Sequence, residues 1–349
     1  DILFNVVIMR GGLPAGQAEP FYYQPLYPYV LALTHVVFGE DTFGIVFLQR
    51  LGMWAAVLAA WRIAARLFGP REALATLAVA VVFALAALAP WTRILLGEAV
   101  FVPLVMVSAW TLVVVSQGAG TGAGVGAGVA GGLATLSRST LLPAWIVVVP
   151  LVAAVRRRRA LSTAPVAALA VALALVVGTA TLRNWIASGQ VVPIATSFAV
   201  NFELGNPPPP DLDPHDVVSH TWLAALPVDP RTARVIDGAW HAPGAFVAGL
   251  GRKALYVFGI FEPHIPGRGW SPWLVASSLL GLTGLLLAWR RGSGAPERWL
   301  PAALALSHFA AVTLIFPHAH GDRMILPFHA LLLPYAGLAV AALVRPRYD

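Results

Sequence analysis

The sequence predicts an all-α polytopic membrane protein, a bundle of about nine transmembrane helices with external juxtamembrane helices and one long external loop. Three observations predict it. Of the 349 residues, 58% are hydrophobic and only 11% are charged, with a mean hydropathy of +0.75, which excludes a soluble globule of this length. The apolar residues gather in nine blocks of roughly 17 to 25, long enough to cross the hydrocarbon core as helices. The arginines between the blocks fall on one side only.

The chain opens on a polar and aromatic loop around Asp1. It has no basic segment followed by an apolar core, and reads as a fragment whose first span is missing. Residues 25–38 are apolar but too short for a span, and counting them as a crossing would invert every later loop. They are expected to form an interfacial helix, with Pro25 and Pro28 in its first turns and Tyr22, Tyr23, Tyr27 and Tyr29 at headgroup depth.

The spans follow at 43–66, 73–91, 94–116, 120–137, 139–155, 163–182, 271–289, 299–316 and 325–344. Arg62, Arg66 and Arg71, the run Arg156 to Arg159, the group Arg290, Arg291 and Arg298, and the pair Arg345 and Arg347 each follow an odd-numbered block. The positive-inside rule therefore puts all four groups in the cytoplasm. Glu98, Arg138, the loop 183–270 and the turn 317–324 then lie outside with Asp1. In the fourth block Gly120, Gly124, Gly128 and Gly132 recur every four residues, which gives a smooth helix face for close packing. A nucleotide-binding loop would need a preceding strand, and none is present. The chain thus divides into an N-terminal transmembrane module with its first external loop and interfacial helix, 1–182, an external loop region, 183–270, and C-terminal transmembrane helices, 271–349.

Cysteine is absent, so disulfide and thiolate chemistry are excluded. The net charge of +7 comes almost entirely from arginine and suits loop orientation and contact with anionic lipid. Nucleic acid is not an expected partner, because no basic patch is interleaved with aromatics on a soluble segment. The preference for arginine over lysine suggests a bacterial source.

Several outer-face residues are chemical candidates. Glu98 stands at or just inside the outer boundary of the third block, where an ionisable group is costly unless it faces a cavity or a partner; an ion pair with Arg93 is the plain alternative. Arg138, flanked by Ser137, Ser139 and Thr140, suits a phosphate or a headgroup anchor. His318, His320 and Asp322 share a turn with Arg323; they are spaced for a metal but are as ordinary as an external turn. Asp211, Asp213, His215 and Asp216 form a surface loop. The loop 183–270 contains a predicted helix at about 231–250 and the chain's one lysine, Lys253. It is a cap over the membrane face rather than an enzyme domain by itself.

Residues 23–33, YQPLYPYVLAL, resemble the Pro-Pro-Leu-Tyr-Pro type motif of the GT-C glycosyltransferases related to protein O-mannosyltransferases and aminoarabinose transferases. Residues 96–101, 132–138, 183–194 with 205–207, and 323–334 resemble later segments of the same family, in the same order along nearly the whole chain. The resemblance implies a GT-C-like bundle and transfer of a sugar from a polyprenyl phosphate to an acceptor on the outer face, with 25–38 kept outside. It implies an acidic residue in the first external loop, where Asp1 stands, although Phe4 occupies a position that is tyrosine in many relatives.

In such a reaction Asp1 is the first choice of general base and Glu98 the second. Arg138, Arg323 and Lys253 would stabilise the departing phosphate. Tyr23, Tyr27, Arg93, Asn206 and His320 are the expected substrate-pocket residues. A single displacement would invert the anomeric carbon. No cofactor and no metal is expected. The expected partners are a polyprenyl-phosphate sugar, an acceptor that is a protein, lipid or glycan, and the bilayer of a bacterial plasma membrane. A transporter or flippase of lipid-linked sugars is the alternative, although no inverted repeat is visible.

Overall fold

The computed structural model describes residues 21, 23–39, 41–95, 97–207, 229–260, 271–291, 295–316 and 324–344. Among the described residues every regular element is a helix, and eight of them are long and apolar enough to cross a membrane. The protein is an integral membrane protein.

The first described helix, α1, Leu26–Phe38, would span only about 20 Å at the usual rise per residue, short of a hydrocarbon core of about 30 Å. Its outer face exposes Leu33, Val36 and Val37, as an interfacial helix requires. The chain then runs through α2, Phe43–Leu67, and α3, Pro70–Phe83. The latter ends in a π-helical turn, Ala84–Leu88, and a 3₁₀ turn, Trp91–Arg93. Next come α4, Glu98–Ser116, α5, Thr121–Ser137, α6, Leu142–Arg158, and α7, Ala164–Ser188.

Helix α5 is the glycine-rich block, 17 residues long. It runs antiparallel along α4, because Arg138 at its end meets Glu98 at the start of α4 and the Ser137 hydroxyl donates to the Gly97 carbonyl at 3.4 Å. A Cβ added at Gly124 or Gly128 would strike the backbone of Pro165 or Leu169 on α7, and one at Gly132 would strike Val176. Close packing without side chains thus accounts for three of the four regularly spaced glycines. Gly120, the fourth, has nothing within 4 Å.

Among the described residues, three short helices lie between α7 and the C-terminal spans: α8, Ser197–Gly205, α9, Pro230–His241, and α10, Pro243–Val257. The sequence predicts one helix at about 231–250; the structure has two. Ala242 leaves the helical region at φ −130°, ψ 63°, because the ring of Pro243 disfavours helical geometry in the residue before it. Asp229 caps α9 by accepting from the Arg231 N–H at 2.8 Å, with Pro230 in the first turn.

The last spans are α11, Pro272–Arg290, α12, Leu300–Ile315, and α13, Leu326–Leu343. Helix α13 is the core of the bundle, with 83% of its span buried against 28% for α7. Its neighbours approach closely through Gly281 and Gly284 on α11, and its own Gly337 lies against Thr76 of α3. The His329 ring joins α13 to its neighbours: one nitrogen is 2.8 Å from the Ser277 hydroxyl and the other donates to the Val257 carbonyl at 2.9 Å.

One end of the bundle collects the arginines, as the loop pattern predicts. Arg66 donates to Gln117, Arg71 to the Val344 carbonyl at 3.1 Å, and Arg291 pairs with Glu72 at 3.3 Å. Arg159 pairs with Glu297. The buried Arg156 spans from Ser162 to the carbonyls of Val115 and Ala119. The candidate site lies at the other end.

Candidate active site

Glu98 is the first residue of α4, where the helix dipole favours a carboxylate. Its side chain is 2% exposed and paired with Arg138. Arg138 leaves α5 in extended backbone at φ −150°, ψ 107°, which turns its side chain back across the end of α4. Its guanidinium lies over the Phe316 ring, 5.8 Å from the centroid. Arg93, the alternative partner of Glu98, is exposed on the preceding 3₁₀ turn. Desolvating two ions costs several kcal/mol each, so a buried pair is a poor source of stability. In a membrane bundle such a pair marks a functional site by default.

Around this pair the backbone is held by a short polar chain. The Tyr27 hydroxyl donates to Gln49 at 3.1 Å, and the Gln49 amide donates to the carbonyls of Thr92 at 3.1 Å and Ile94 at 3.3 Å. Burial pushes the Tyr27 phenol above its ordinary range, so it remains a neutral donor. Gly97 lies beneath the Tyr27 side chain, where a Cβ would sit 3.7 Å from it. A small apolar cavity of about 10 Å³ adjoins Glu98, lined by Leu88, Trp91, Thr92, Val102 and Leu326 among others. That is room for about one water. Tyr27 therefore packs against Gly97, the residue before Glu98, whereas Tyr23 is 44% exposed.

Lys253 on α10 is also buried, 4% exposed. Its ammonium donates to the Asn206 side-chain oxygen at 2.8 Å, the Gly205 carbonyl at 3.1 Å and the Leu314 carbonyl at 3.3 Å. The three N–H groups of an ammonium are thus matched by three neutral oxygens, at the C-terminal ends of α8 and α12. Asn206 completes the knot by donating to the carbonyls of Phe202 at 2.9 Å and Leu314 at 2.8 Å. Gly205 makes it possible, since a Cβ there would strike the backbone at Ile315 and Phe316. Burial pulls the Lys253 pKa down to about 8.

Asp1, His320 and Arg323 lie outside the described residues, as do His318, Asp322, Asp211, Asp213, His215 and Asp216. Among the described residues no cluster of three or more His, Asp or Glu could hold a metal ion. Sequence reasoning passed over Gln49, Phe316 and His308. The readable signal was polarity: Gln49 and His308 are polar groups inside apolar blocks, and each makes buried hydrogen bonds at the site end.

Residues 19–181, just under half of the chain, match the family described as dolichyl-phosphate-mannose-protein mannosyltransferase. This match bears out the family resemblance over the residues it spans, which include the Tyr23 to Leu33 segment, Glu98 and Arg138; the segments 183–194, 205–207 and 323–334 lie outside it. Among solved structures the chain is similar to the archaeal oligosaccharyltransferase AglB from Archaeoglobus fulgidus, in complex with an inhibitory peptide and a dolichol-phosphate. The identity is 14% and the TM-score 0.48, over 98% of this chain and 46% of that one; the chain thus spans less than half the length of that structure. No curated protein sequence matches.

Proposed function

We propose that the protein is a membrane glycosyltransferase that moves a sugar from a polyprenyl phosphate to an acceptor hydroxyl. The observation that carries this reading is the buried Glu98–Arg138 pair, which lies inside the residues matched to a family whose description names a lipid-phosphate mannose donor. An arginine presents a planar fork of donors that suits a phosphate, and a carboxylate partner orients that fork before the ligand arrives. Arg138 would hold the phosphate and stabilise its growing charge. Glu98 would fix the guanidinium, and Arg323 would supply a second cation.

The acceptor oxygen attacks C1 of the sugar while its proton passes to a carboxylate, with Asp1 the first choice. The bond from C1 to the phosphate oxygen breaks, polyprenyl phosphate departs, and the anomeric carbon inverts. Gathering of arginines at the opposite end supports placing the site end outside the cytoplasm. The loop region 183–270 would admit the acceptor.

The test uses the full-length protein in liposomes containing radiolabelled polyprenyl-phosphate sugars, supplied one at a time. Wild type should consume one donor, and Asp1→Asn should abolish transfer while leaving donor binding nearly intact. Movement of labelled lipid between leaflets without loss of its sugar would instead establish a transporter.

A further inference from the structure

Helix α12 backs the candidate site from one face, on which His308, Val312, Ile315 and Phe316 recur at helical spacing. Phe316 lies under the Arg138 guanidinium. The His308 ring packs on Phe101, with centroids 5.7 Å apart, and Phe101 stands one turn along α4 from Glu98. Arg138 thus lies over an aromatic ring at the end of this face, and the face also packs on α4 one turn from Glu98. His308 is 2% exposed, and its Nε2 lies 2.9 Å from the Met324 carbonyl oxygen. A carbonyl only accepts, so Nε2 carries the proton and Nδ1 of the neutral ring is an acceptor. Among the described residues Nδ1 has no hydrogen-bond partner, which leaves the Met324 contact as the ring's directional bond there.

We infer that His308 is a positioning residue, which sets the backbone at Met324, just before α13, in register with the Glu98–Arg138 pair. This inference rests on the transferase reading for its effect on catalysis, but the tie itself is a property of the fold. Met324 is followed within two residues by α13, the most buried helix, so a shift there would be transmitted to the site rather than absorbed in a loop. In the sequence Met324 also follows Arg323.

The test compares wild type with His308→Gln, His308→Asn and His308→Leu in liposomes, with all constants expressed per folded molecule. Glutamine places an N–H near the position of Nε2; asparagine is too short and leucine has no donor. The expected result is a donor KM raised about tenfold or more in the Leu and Asn variants, as misplacement of a binding group predicts, and restored towards wild type in Gln. Hydrogen exchange gives an independent readout: amides at the start of α13 should exchange faster in Leu and Asn, and not in Gln. Unchanged exchange there, or a Gln variant indistinguishable from Leu, would overturn the inference. Faster exchange in Leu and Asn with wild type consuming no donor would support the tie and overturn the transferase reading alone.

Discussion

Arg138 and Lys253 approach the same end of α12, yet they are used in opposite ways. Arg138 lies over Phe316 and is paired with a carboxylate. Lys253 meets three neutral oxygens two residues earlier on the chain, at Leu314, and at the end of α8. A charge that answers another charge is oriented for exchange with an incoming anion. A charge that answers helix C-terminal carbonyls is a cap, favoured by the dipoles of both helices. The comparison teaches that two buried cations at the same end of the bundle can have different partners, a carboxylate for one and neutral oxygens for the other. On the proposed reading, those partners separate a cation poised for phosphate from one that caps helix ends.

The largest effect should come from breaking the ion pair on one side. Glu98→Ala strands a buried guanidinium and should cost about 3–5 kcal/mol of stability, read by thermal unfolding in detergent. The double variant Glu98→Leu with Arg138→Leu should recover most of that loss while remaining inactive, because an apolar pair replaces the ions without leaving either one alone. A double variant as unstable as Glu98→Ala would mean that the pair is kept for the fold. Arg138→Ala should lower kcat/KM by about 10²–10³-fold, the loss typical of removing one electrostatic stabiliser, and Arg138→Lys should restore only part because the fork is gone.

Lys253→Met should do the reverse. It should cost about 1–3 kcal/mol by leaving buried oxygens without donors, with kinetic constants per folded molecule close to wild type. A donor KM that rises as far as in Arg138→Ala would place Lys253 with the phosphate ligands and break the contrast.

The same residue also predicts a pH dependence. The folded pKa of Lys253 is about 8, below its ordinary 10.5, so the folded state releases this proton before the unfolded one. The contribution of this group to stability should therefore rise as pH increases from about 8 towards 10.5. Unfolding midpoints across that range should show the rise in wild type and lose it in Lys253→Met.

Much of the architecture was legible. Loop arginines alternate in parity with the apolar blocks, and the structure gathers Arg66, Arg71, Arg156, Arg159 and Arg291 at one end. The same parity kept residues 25–38 out of the count of spans, and Leu26–Phe38 is a short helix. Gly124, Gly128 and Gly132 were readable as a packing face because a repeat of four survives in one dimension. The break at Ala242 was missed although Pro243 announces it, since the local proline signal was outweighed by the helical pattern around it.

Of the site, the sequence placed Glu98 and Arg138 at one end. It did not reveal that they pair with each other, because pairing depends on how α4 and α5 align, and Arg93 is far nearer to Glu98 along the chain. For Lys253, charge and side were visible, but the convergence of two helix ends on it is tertiary. Gln49 and His308 carried a readable polarity signal whose partners, the carbonyls of Thr92 and Met324, no local pattern could supply.

The most direct measurement is binding of a labelled polyprenyl-phosphate sugar to the full-length protein in liposomes, compared among wild type, Arg138→Ala and Lys253→Met. The account predicts that binding collapses in Arg138→Ala and persists in folded Lys253→Met. Equal binding by wild type and Arg138→Ala would contradict it.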